Sequence, residues 1–254
     1  MRNRRGLFAG MQSGRLSGFV PYKGTKDLPN AGRISRFIRN FVDMKVALCQ
    51  FSLEWEAAAR NLRRAEELVA QAGADLALLP EMFATGFVTE PWRTALPDEE
   101  ELLAWMRRTA RRYATALAGS AVVRSGDRFA NRFFFVRPAG GAERYDKRHL
   151  FSIGGEDAHF VAGRRRVVVE YGGLRFLPLV CYDLRFPVWC RCRSDYDAIL
   201  CVASWPAPRR EVWRTLLRAR AIENQCYVVG VNRTGDDPWN HYCLLYTSPS
   251  PRDA

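Results

Sequence analysis

The 254-residue chain is long enough for one large α/β domain or two small ones, and its 48% hydrophobic content supports a sizeable core. The formal net charge of +12 is uneven, because segment 1–43 has nine Arg or Lys against two Asp and therefore carries +7. The other residues carry only +5, which does not indicate a nucleic-acid or membrane partner for them. The chain shows neither a signal-peptide pattern nor a run of about 18 apolar residues.

The cysteines indicate the compartment. There are seven of them, an odd number at irregular spacing, and several lie in apolar runs. This usage predicts free thiols in a reducing compartment, and we expect a soluble, cytoplasmic protein. Cys190 and Cys192 are close in sequence, but no second Cys or His pair stands at zinc-binding spacing, so no metal site is predicted.

The two ends of the chain differ in composition from its middle. Segment 1–43 is rich in Arg and Gly, lacks a sustained apolar period and is predicted to be disordered. It reads either as an Arg-rich transit peptide or as a non-native extension before a start at Met44, and we favour the extension because the ordered pattern begins abruptly there. Residues 244–254 are predicted to be a low-complexity tail. The domain is therefore expected over 44–243.

Apolar periodicity alternates between strand-like and helix-like within this domain. Strands predicted at 44–52 and 75–80 flank a helix over 56–71 that ends at Gly73, a β–α–β order that makes the two strands parallel. The remaining predicted elements are a helix at 98–115, hairpins of 117–124 with 129–137 and of 167–171 with 174–180, a strand at 197–204, a helix at 209–224 and a strand at 225–232. The pattern indicates an α/β fold around a mixed sheet.

Cys181 is the candidate nucleophile. It ends the apolar run Phe176–Val180, and a polar, aromatic turn that stops at Pro187 follows it directly. A thiol in this position is held rigidly and faces a cleft, while the backbone N–H groups of the turn can bind an anion. The alternative is a buried cysteine that only packs, which is the commoner role of this residue type.

Glu81 and Lys147 are the residues that such a thiol would need. Glu81 directly follows an apolar run, as Cys181 does, and the carboxyl ends of strands in an α/β sheet gather at one site. A carboxylate can accept the thiol proton, and an ammonium group can stabilise an oxyanion. Residue type alone is equally consistent with a solvated surface pair.

Three segments give these residues a context. Leu78–Phe83 (LLPEMF), Tyr145–Phe151 (YDKRHLF) and Val180–Pro187 (VCYDLRFP) resemble the nitrilase superfamily of carbon–nitrogen hydrolases, in the order found in that family. The resemblance extends from Met44 to about Tyr242. It implies an α-β-β-α sandwich, a triad of Glu81, Lys147 and Cys181, and no metal or cofactor. It also implies that Glu156 assists as a second catalytic glutamate, the alternative being an ordinary loop carboxylate.

Within the superfamily, the chain is most similar to the bacterial omega-amidase branch. Segments that carry this similarity are Glu81–Phe87, Tyr145–Phe151, Ser204–Arg209 and Ala219–Gln225. The branch hydrolyses the terminal amide of 2-oxoglutaramate or 2-oxosuccinamate, and the resemblance implies a thioester at Cys181 with an oxyanion held by Lys147 and the N–H of Tyr182. Open alternatives are a nitrilase, an N-carbamoyl amidohydrolase or another aliphatic amidase, and, from a different class, a basic nucleic-acid-binding protein.

Four further residues are candidates for the substrate pocket. Phe83, Phe87 and Trp205 are expected to wall it, although all three can equally be core aromatics. Arg185 is a candidate partner for a substrate carboxylate, with an internal ion pair to Asp183 or Glu223 as the alternative.

The resemblance also bears on the chain's end and its partners. From Cys243 onward the family pattern is not matched, so the last one or two strands are expected to be missing. The expected partners are an amide substrate, water and a second copy of the chain in a homodimer, without nucleic acid or membrane.

Overall fold

The computed structural model describes residues 11–14, 44–93, 98–243 and 246–247. Two β-sheets pack face to face, and helices cover the outer face of each, so the layers follow the order α-β-β-α. The predicted α/β class and the sandwich implied by the resemblance are confirmed. The mixed strand order indicated by periodicity is found in two separate sheets, because alternation along a chain does not reveal to which of two sheets a strand belongs.

The first sheet has six strands in chain order. The bounds are β1 Met11–Gly14, β2 Val46–Cys49, β3 Leu76–Leu78, β4 Ala116–Ser125, β5 Arg128–Val136 and β6 Ala142–Asp146. β2, β3 and β4 are parallel, as the β–α–β pattern predicts, whereas β4, β5 and β6 form an antiparallel meander.

The second sheet has five strands in the order β13-β10-β9-β8-β7. Its three central strands are parallel, β9 and β10 are fully buried, and both edge strands are antiparallel to their neighbours. The bounds are β7 Val169–Tyr171, β8 Leu174–Val180, β9 Ala198–Ala203, β10 Tyr227–Asn232 and β13 Tyr246–Thr247, with a separate two-stranded hairpin of β11 Gly235–Asp236 and β12 His241–Tyr242.

Five α-helices connect these strands in the described ranges: α1 Ala58–Ala72, α2 Glu99–Tyr113, α3 Glu156–His159, α4 Pro187–Cys190 and α5 Arg210–Asn224. Helix α1 ends where predicted, at Gly73, whose φ of 50° suits glycine better than any residue with a Cβ. None of these helices has the length and apolar character required to cross a membrane.

The core has two main parts. Between the sheets lie branched and aromatic side chains such as Leu78, Phe133, Phe135 and Phe176, each of them almost completely excluded from solvent. On the outer side of the first sheet, α1 and α2 bury their apolar faces. Full burial of one such side chain contributes about 1.5–3 kcal/mol, so the sandwich is held mainly by its two apolar interlayer regions.

The chain ends differ in part from the sequence-based expectation. Met11–Gly14 lies in the segment predicted to be disordered, yet it pairs antiparallel with β2, whose edge would otherwise present unpaired backbone groups. Tyr246–Thr247 lies in the predicted tail, yet it pairs with Gly230 and Val231 of β10. The other residues of 1–43 and of 244–254 lie outside the described residues.

Gly163 packs directly against the backbone of Asp146 and Lys147, and its replacement tests how tight this contact is. Its N–H donates to the carbonyl of Lys147, and a Cβ at this position would lie well inside van der Waals distance of the Asp146 carbonyl oxygen. We expect Gly163→Ala to lower the free energy of unfolding by about 1–3 kcal/mol, since the backbone that carries Lys147 must move. Denaturant unfolding measures the loss. Gly141→Ala, which meets only the flexible Arg137 side chain, is the control, and equal stability of the two variants would contradict the expectation.

Candidate active site

An open cavity of about 410 Å³ lies at the carboxyl ends of strands in the second sheet. Cys181 and Ser204, the residues that follow β8 and β9, both line it. Of the predicted pocket residues, Phe87, Tyr182 and Trp205 line it as well. The lining of the cavity thus combines aromatic rings with polar groups, among them the thiol of Cys181, and this mixture is typical of a small-molecule site.

Phe83 does not line the cavity. It is fully buried in the core between the first sheet and its helices, with its ring 5.9 Å from that of Trp105. Met82, at a φ of 47°, turns the chain directly after Glu81, and the N–H of Phe83 then donates to the carbonyl of Ser120. This turn directs Phe83 toward the helices. The prediction that it walls the pocket is therefore wrong.

Cys181 is held in an unusual backbone conformation. It is the first residue of a 3₁₀ turn, Cys181–Arg185, and its φ of 47° lies in the left-handed region. For a residue with a Cβ this costs about 1–2 kcal/mol, which the surrounding structure must offset. Such strain is typical of a residue whose side chain must point in one defined direction, here toward the cavity.

The buried carboxylate of Asp183 fixes this turn to the segment that carries Lys147. Its Oδ2 accepts hydrogen bonds from the N–H of Val180 and the hydroxyl of Tyr145, at 3.1 and 2.8 Å. Its Oδ1 lies 2.8 Å from both the backbone N and Nδ1 of His149. The cysteine turn and the lysine segment are therefore positioned by one shared side chain.

Glu81 follows β3 and is completely buried. Its Oε1 accepts hydrogen bonds from Lys147 Nζ and from Asn131 Nδ2, both at 2.9 Å. Its Oε2 accepts the N–H of Ser204, also at 2.9 Å. Three donors thus converge on this carboxyl group and hold both of its oxygens in place.

Lys147 and Glu156 complete the buried cluster. Lys147 Nζ lies 2.8 Å from Glu156 Oε2, which also accepts the N–H of Phe151 at 2.7 Å. Burial alone would lower the pKa of Lys147, but the carboxyl groups of Glu156 and Glu81 outweigh it and raise that pKa. Burial raises the pKa of Glu156, and the proximity of Glu81 adds to this, while Lys147 opposes it. The lysine is accordingly an ammonium group throughout the neutral range.

The thiol of Cys181 is protonated in the resting protein. Burial, and then the charge of Glu81, raise the pKa of its thiol well above the usual value, and Lys147 only partly opposes them. The Glu81 carboxyl group and the Ser204 N–H are the polar neighbours that also act on the pKa of this thiol, the first raising it and the second lowering it. The resting residue is therefore a thiol beside a carboxylate, an arrangement that supports proton transfer at the moment of attack rather than a preformed thiolate.

Two arginines line the cavity. The guanidinium of Arg185 lies 5.2 Å from the Trp205 ring, and that of Arg209 lies 5.5 Å from the Phe151 ring. Within the described ranges neither forms an ion pair with a carboxylate. The alternative partners considered for Arg185 are engaged elsewhere, since Asp183 binds His149 and Glu223 binds Arg220.

Sequence reasoning missed several residues that the structure brings to the cluster: Asn131, Asp183 and Ser204, with Arg209 at the cavity. A sequence signal was present for three of them, since Asn131, Asp183 and Ser204 are polar residues within or shortly after apolar strand patterns. In the described part of the chain, no group of three or more His, Cys, Asp or Glu side chains is arranged as metal ligands.

Comparison with known sequences identifies relatives of this chain. Residues 45–246 match the family model described as carbon-nitrogen hydrolase. The chain is 49% identical over 200 residues to the omega-amidase YafV of Yersinia enterocolitica, covering 78% of each chain. It is 32% identical over 204 residues to a 2-oxoglutaramate amidase of Bacillus subtilis, covering 78% of this chain and 79% of that one.

Solved structures show the same relationship. XC1258 of Xanthomonas campestris, a CN-hydrolase superfamily protein with an arsenic adduct in its active site, is 40% identical with a TM-score of 0.78, covering 82% of both chains. A mutant of the amidase from Nesterenkonia sp. AN1, which carries acrylamide added to its active-site cysteine, is 26% identical with a TM-score of 0.74, covering 82% of this chain and 85% of that one. This chain belongs to the carbon–nitrogen hydrolase family.

Proposed function

We propose that this protein is an omega-amidase, which hydrolyses the terminal carboxamide of a 2-oxo acid amide such as 2-oxoglutaramate or 2-oxosuccinamate to the 2-oxo acid and ammonia. The observation that carries the proposal is the Cys181 thiol in an open cavity, beside the buried carboxylate of Glu81 and the ammonium group of Lys147. The names of the omega-amidase and 2-oxoglutaramate amidase relatives support this choice of amide. They favour it over the nitrilase, carbamoylase and nucleic-acid-binding alternatives.

The first half of the reaction forms a thioester. Glu81 accepts the Cys181 proton while the sulfur bonds to the amide carbon, and the carbonyl oxygen becomes an oxyanion. The ammonium group of Lys147 has three N–H donors, of which Glu81 and Glu156 take two. The third, together with the N–H of Tyr182 directly after the nucleophile, stabilises the oxyanion. The carbon–nitrogen bond then breaks, and the nitrogen leaves as ammonia with the proton held by Glu81.

The second half releases the acid. Glu81 accepts a proton from water as the water oxygen attacks the thioester carbon, and the oxyanion forms again at the same donors. The carbon–sulfur bond breaks, and the sulfur recovers its proton from Glu81. Glu156 holds Lys147 in place through a 2.8 Å contact and thereby assists both halves.

The two arginines of the cavity support an anionic substrate. Arg185 and Arg209 bring two positive charges to a cavity whose lining includes one acidic residue, Asp237, and neither arginine forms an ion pair with a carboxylate of the described residues. A guanidinium binds a carboxylate in a planar, paired geometry. The carboxylate of a 2-oxo acid amide, at the far end from the reacting amide, would meet them there.

Arginine replacement tests this role. We expect Arg185→Met and Arg209→Met each to raise KM for 2-oxoglutaramate about 10- to 100-fold, because each removes a charge-assisted contact. Turnover of an uncharged short-chain aliphatic amide should change much less. Steady-state kinetics with both substrates provide the measurement, and Arg107→Met, outside the cavity, is the matched control. Equal losses on both substrates would contradict a carboxylate-binding role.

Ammonia release tests the function itself. Purified protein should release ammonia from 2-oxoglutaramate with a far higher kcat/KM than from an aliphatic nitrile or an N-carbamoyl amino acid. A preference for either of the last two would replace the omega-amidase assignment with the corresponding alternative.

We further propose that the protein acts as a homodimer in the cytoplasm. Val188 of α4 and Ile222 of α5 are 72% and 42% exposed, and both helices contact the turn that carries Cys181. Burial of these apolar side chains against a second copy would stabilise that turn. All seven cysteines are free thiols, which supports a reducing compartment. Sedimentation velocity tests the dimer, and a monomer at micromolar concentration would refute it.

A further inference from the structure

Asn131 is a fully buried polar residue in a strand that is mainly apolar. It lies within β5, in the run Phe129-Ala130-Asn131, followed after Arg132 by three phenylalanines. None of its surface is exposed. Burial of a primary amide is costly unless its hydrogen bonds are made, so the partners of this side chain show what it does.

The amide nitrogen of Asn131 joins the two catalytic carboxyl groups. Nδ2 donates to Glu81 Oε1 at 2.9 Å and to Glu156 Oε1 at 3.0 Å. Its orientation is determined by these neighbours, since a reversed amide would direct Oδ1 at two carboxylate oxygens. Both N–H groups of a single amide are therefore used to hold Glu81 and Glu156 in fixed positions relative to each other.

The backbone of Asn131 also holds the third member of the cluster. Its carbonyl accepts the N–H of Lys147 at 2.9 Å, directly after the end of β6. One residue thus contacts Glu81, Glu156 and Lys147, on three separate segments of the chain. Lys147 Nζ bridges the same two carboxyl groups from another direction, so the two glutamates are joined twice.

The remaining polar atom of the amide indicates that this position is not chosen for stability alone. Asn131 Oδ1 is buried without a hydrogen-bond partner among the described residues. An unsatisfied buried acceptor destabilises the folded state, and an apolar side chain of similar size would avoid it. The residue is therefore best explained by what its Nδ2 does for the two carboxyl groups.

The electrostatics of the cluster give the amide a specific task. Two carboxyl groups share one ammonium group, and their mutual proximity favours protonation of one of them. Glu81 must be ionised to accept the Cys181 proton. We propose that Asn131 is a positioning residue for the hydrolysis, whose amide holds Glu81 and Glu156 in the ionised arrangement from which Glu81 deprotonates Cys181. This inference rests on the proposed function only in taking Glu81 as the base.

The groups that face the two carboxyl groups determine the expected pH dependence. Besides Lys147 and Cys181, Tyr242 and Cys201 lie near Glu81, and burial raises the pKa of both well above the usual value, so neither titrates in the acid range. Removal of the Asn131 donor takes a hydrogen bond from the ionised form of Glu156, whose pKa is already raised by burial. The acid limb of the reactivity of Cys181 should consequently move to higher pH.

Alkylation of Cys181 by iodoacetamide tests the proposal without reference to the substrate. The sulfur–carbon bond forms, iodide leaves and Glu81 takes the proton, and peptide mass spectrometry distinguishes Cys181 from the other thiols. We expect Asn131→Leu to slow this reaction about 10- to 100-fold at neutral pH and to shift its acid limb upward. In turnover, kcat should fall by a similar factor with KM nearly unchanged, because Asn131 does not line the cavity.

A matched variant separates positioning from general packing. Thr115→Val removes a buried hydrogen bond to the Ala74 carbonyl at the amino ends of β3 and β4, opposite the end at which Glu81 lies, and should leave the alkylation profile unchanged. If Asn131→Leu does not fold, Asn131→Ser, too short to reach either carboxyl group, decides the question. A wild-type alkylation profile in the folded variant, or equal loss in Thr115→Val, overturns the proposal. Absence of 2-oxoglutaramate turnover in the wild type would refute the omega-amidase function while leaving this test intact.

Discussion

Cys181→Ala is expected to abolish amide hydrolysis, with kcat/KM reduced at least about 10⁴-fold. The reason is that no other thiol lines the cavity in the described ranges, and the donors around the site cannot form a covalent intermediate by themselves. The fold should be retained, since alanine accepts the same backbone and replaces a small side chain. Ammonia release from 2-oxoglutaramate and the thermal unfolding midpoint provide the two measurements.

Cys49→Ala is the matched control for this experiment. Cys49 is a buried thiol in β2, where burial raises its pKa to about 12, and it does not line the cavity. This variant should lose about 1 kcal/mol of stability from the smaller side chain and keep its turnover. Hydrolysis by Cys181→Ala at a rate comparable with Cys49→Ala would remove Cys181 as the nucleophile.

Lys147→Met should be the second most damaging change, because it affects both chemistry and folding. Loss of the ammonium group removes an oxyanion donor, which we expect to lower kcat about 10²- to 10³-fold. It also leaves Glu81 and Glu156 buried without a cation, which costs about 3–5 kcal/mol of the free energy of unfolding at neutral pH. Turnover and denaturant unfolding measure the two effects separately.

The pH dependence of this variant has a defined sign. The pKa of Glu156 is already raised in the folded protein, and it should rise further without Lys147. A carboxyl group whose folded pKa exceeds its unfolded value contributes stability below the unfolded pKa and loses it as pH rises through the folded pKa. Lys147→Met should therefore become less stable between about pH 5 and about pH 8, more steeply than wild type. Lys45→Met, at a partly exposed lysine, should show no such difference, and a flat profile in Lys147→Met would contradict the buried charge cluster.

The local sequence pattern was sufficient to predict most of the strands and helices. The strand Leu174–Val180 has the predicted bounds, because a continuous apolar run beside a Gly-Gly turn is unambiguous. The strand Ala142–Asp146 was missed, since its residues are mainly charged and it forms the exposed edge of a sheet. Its existence depends on pairing with β5, which is a tertiary contact and has no local signature.

The active site was likewise predictable where it depends on local sequence and not where it depends on tertiary contacts. That Glu81 and Cys181 each follow a strand could be predicted from apolar runs, but these strands belong to different sheets. The two residues meet because the sheets pack face to face, so the explanation from strand ends of one sheet was incomplete. Asn131 was passed over because a single amide in an apolar strand is detectable, whereas its two carboxyl partners, 50 and 25 positions away, are not.

The protonated resting state of Cys181 also bears on how the protein withstands oxidants. Peroxide attacks thiolates rather than thiols, so a nucleophile whose pKa is raised by burial and by Glu81 is a poor target while the cavity is empty. The thiolate exists only when Glu81 takes its proton, at the moment when an amide carbon is positioned to react. Placing a carboxylate rather than a histidine beside the sulfur thus combines high reactivity toward the substrate with chemical durability between turnovers.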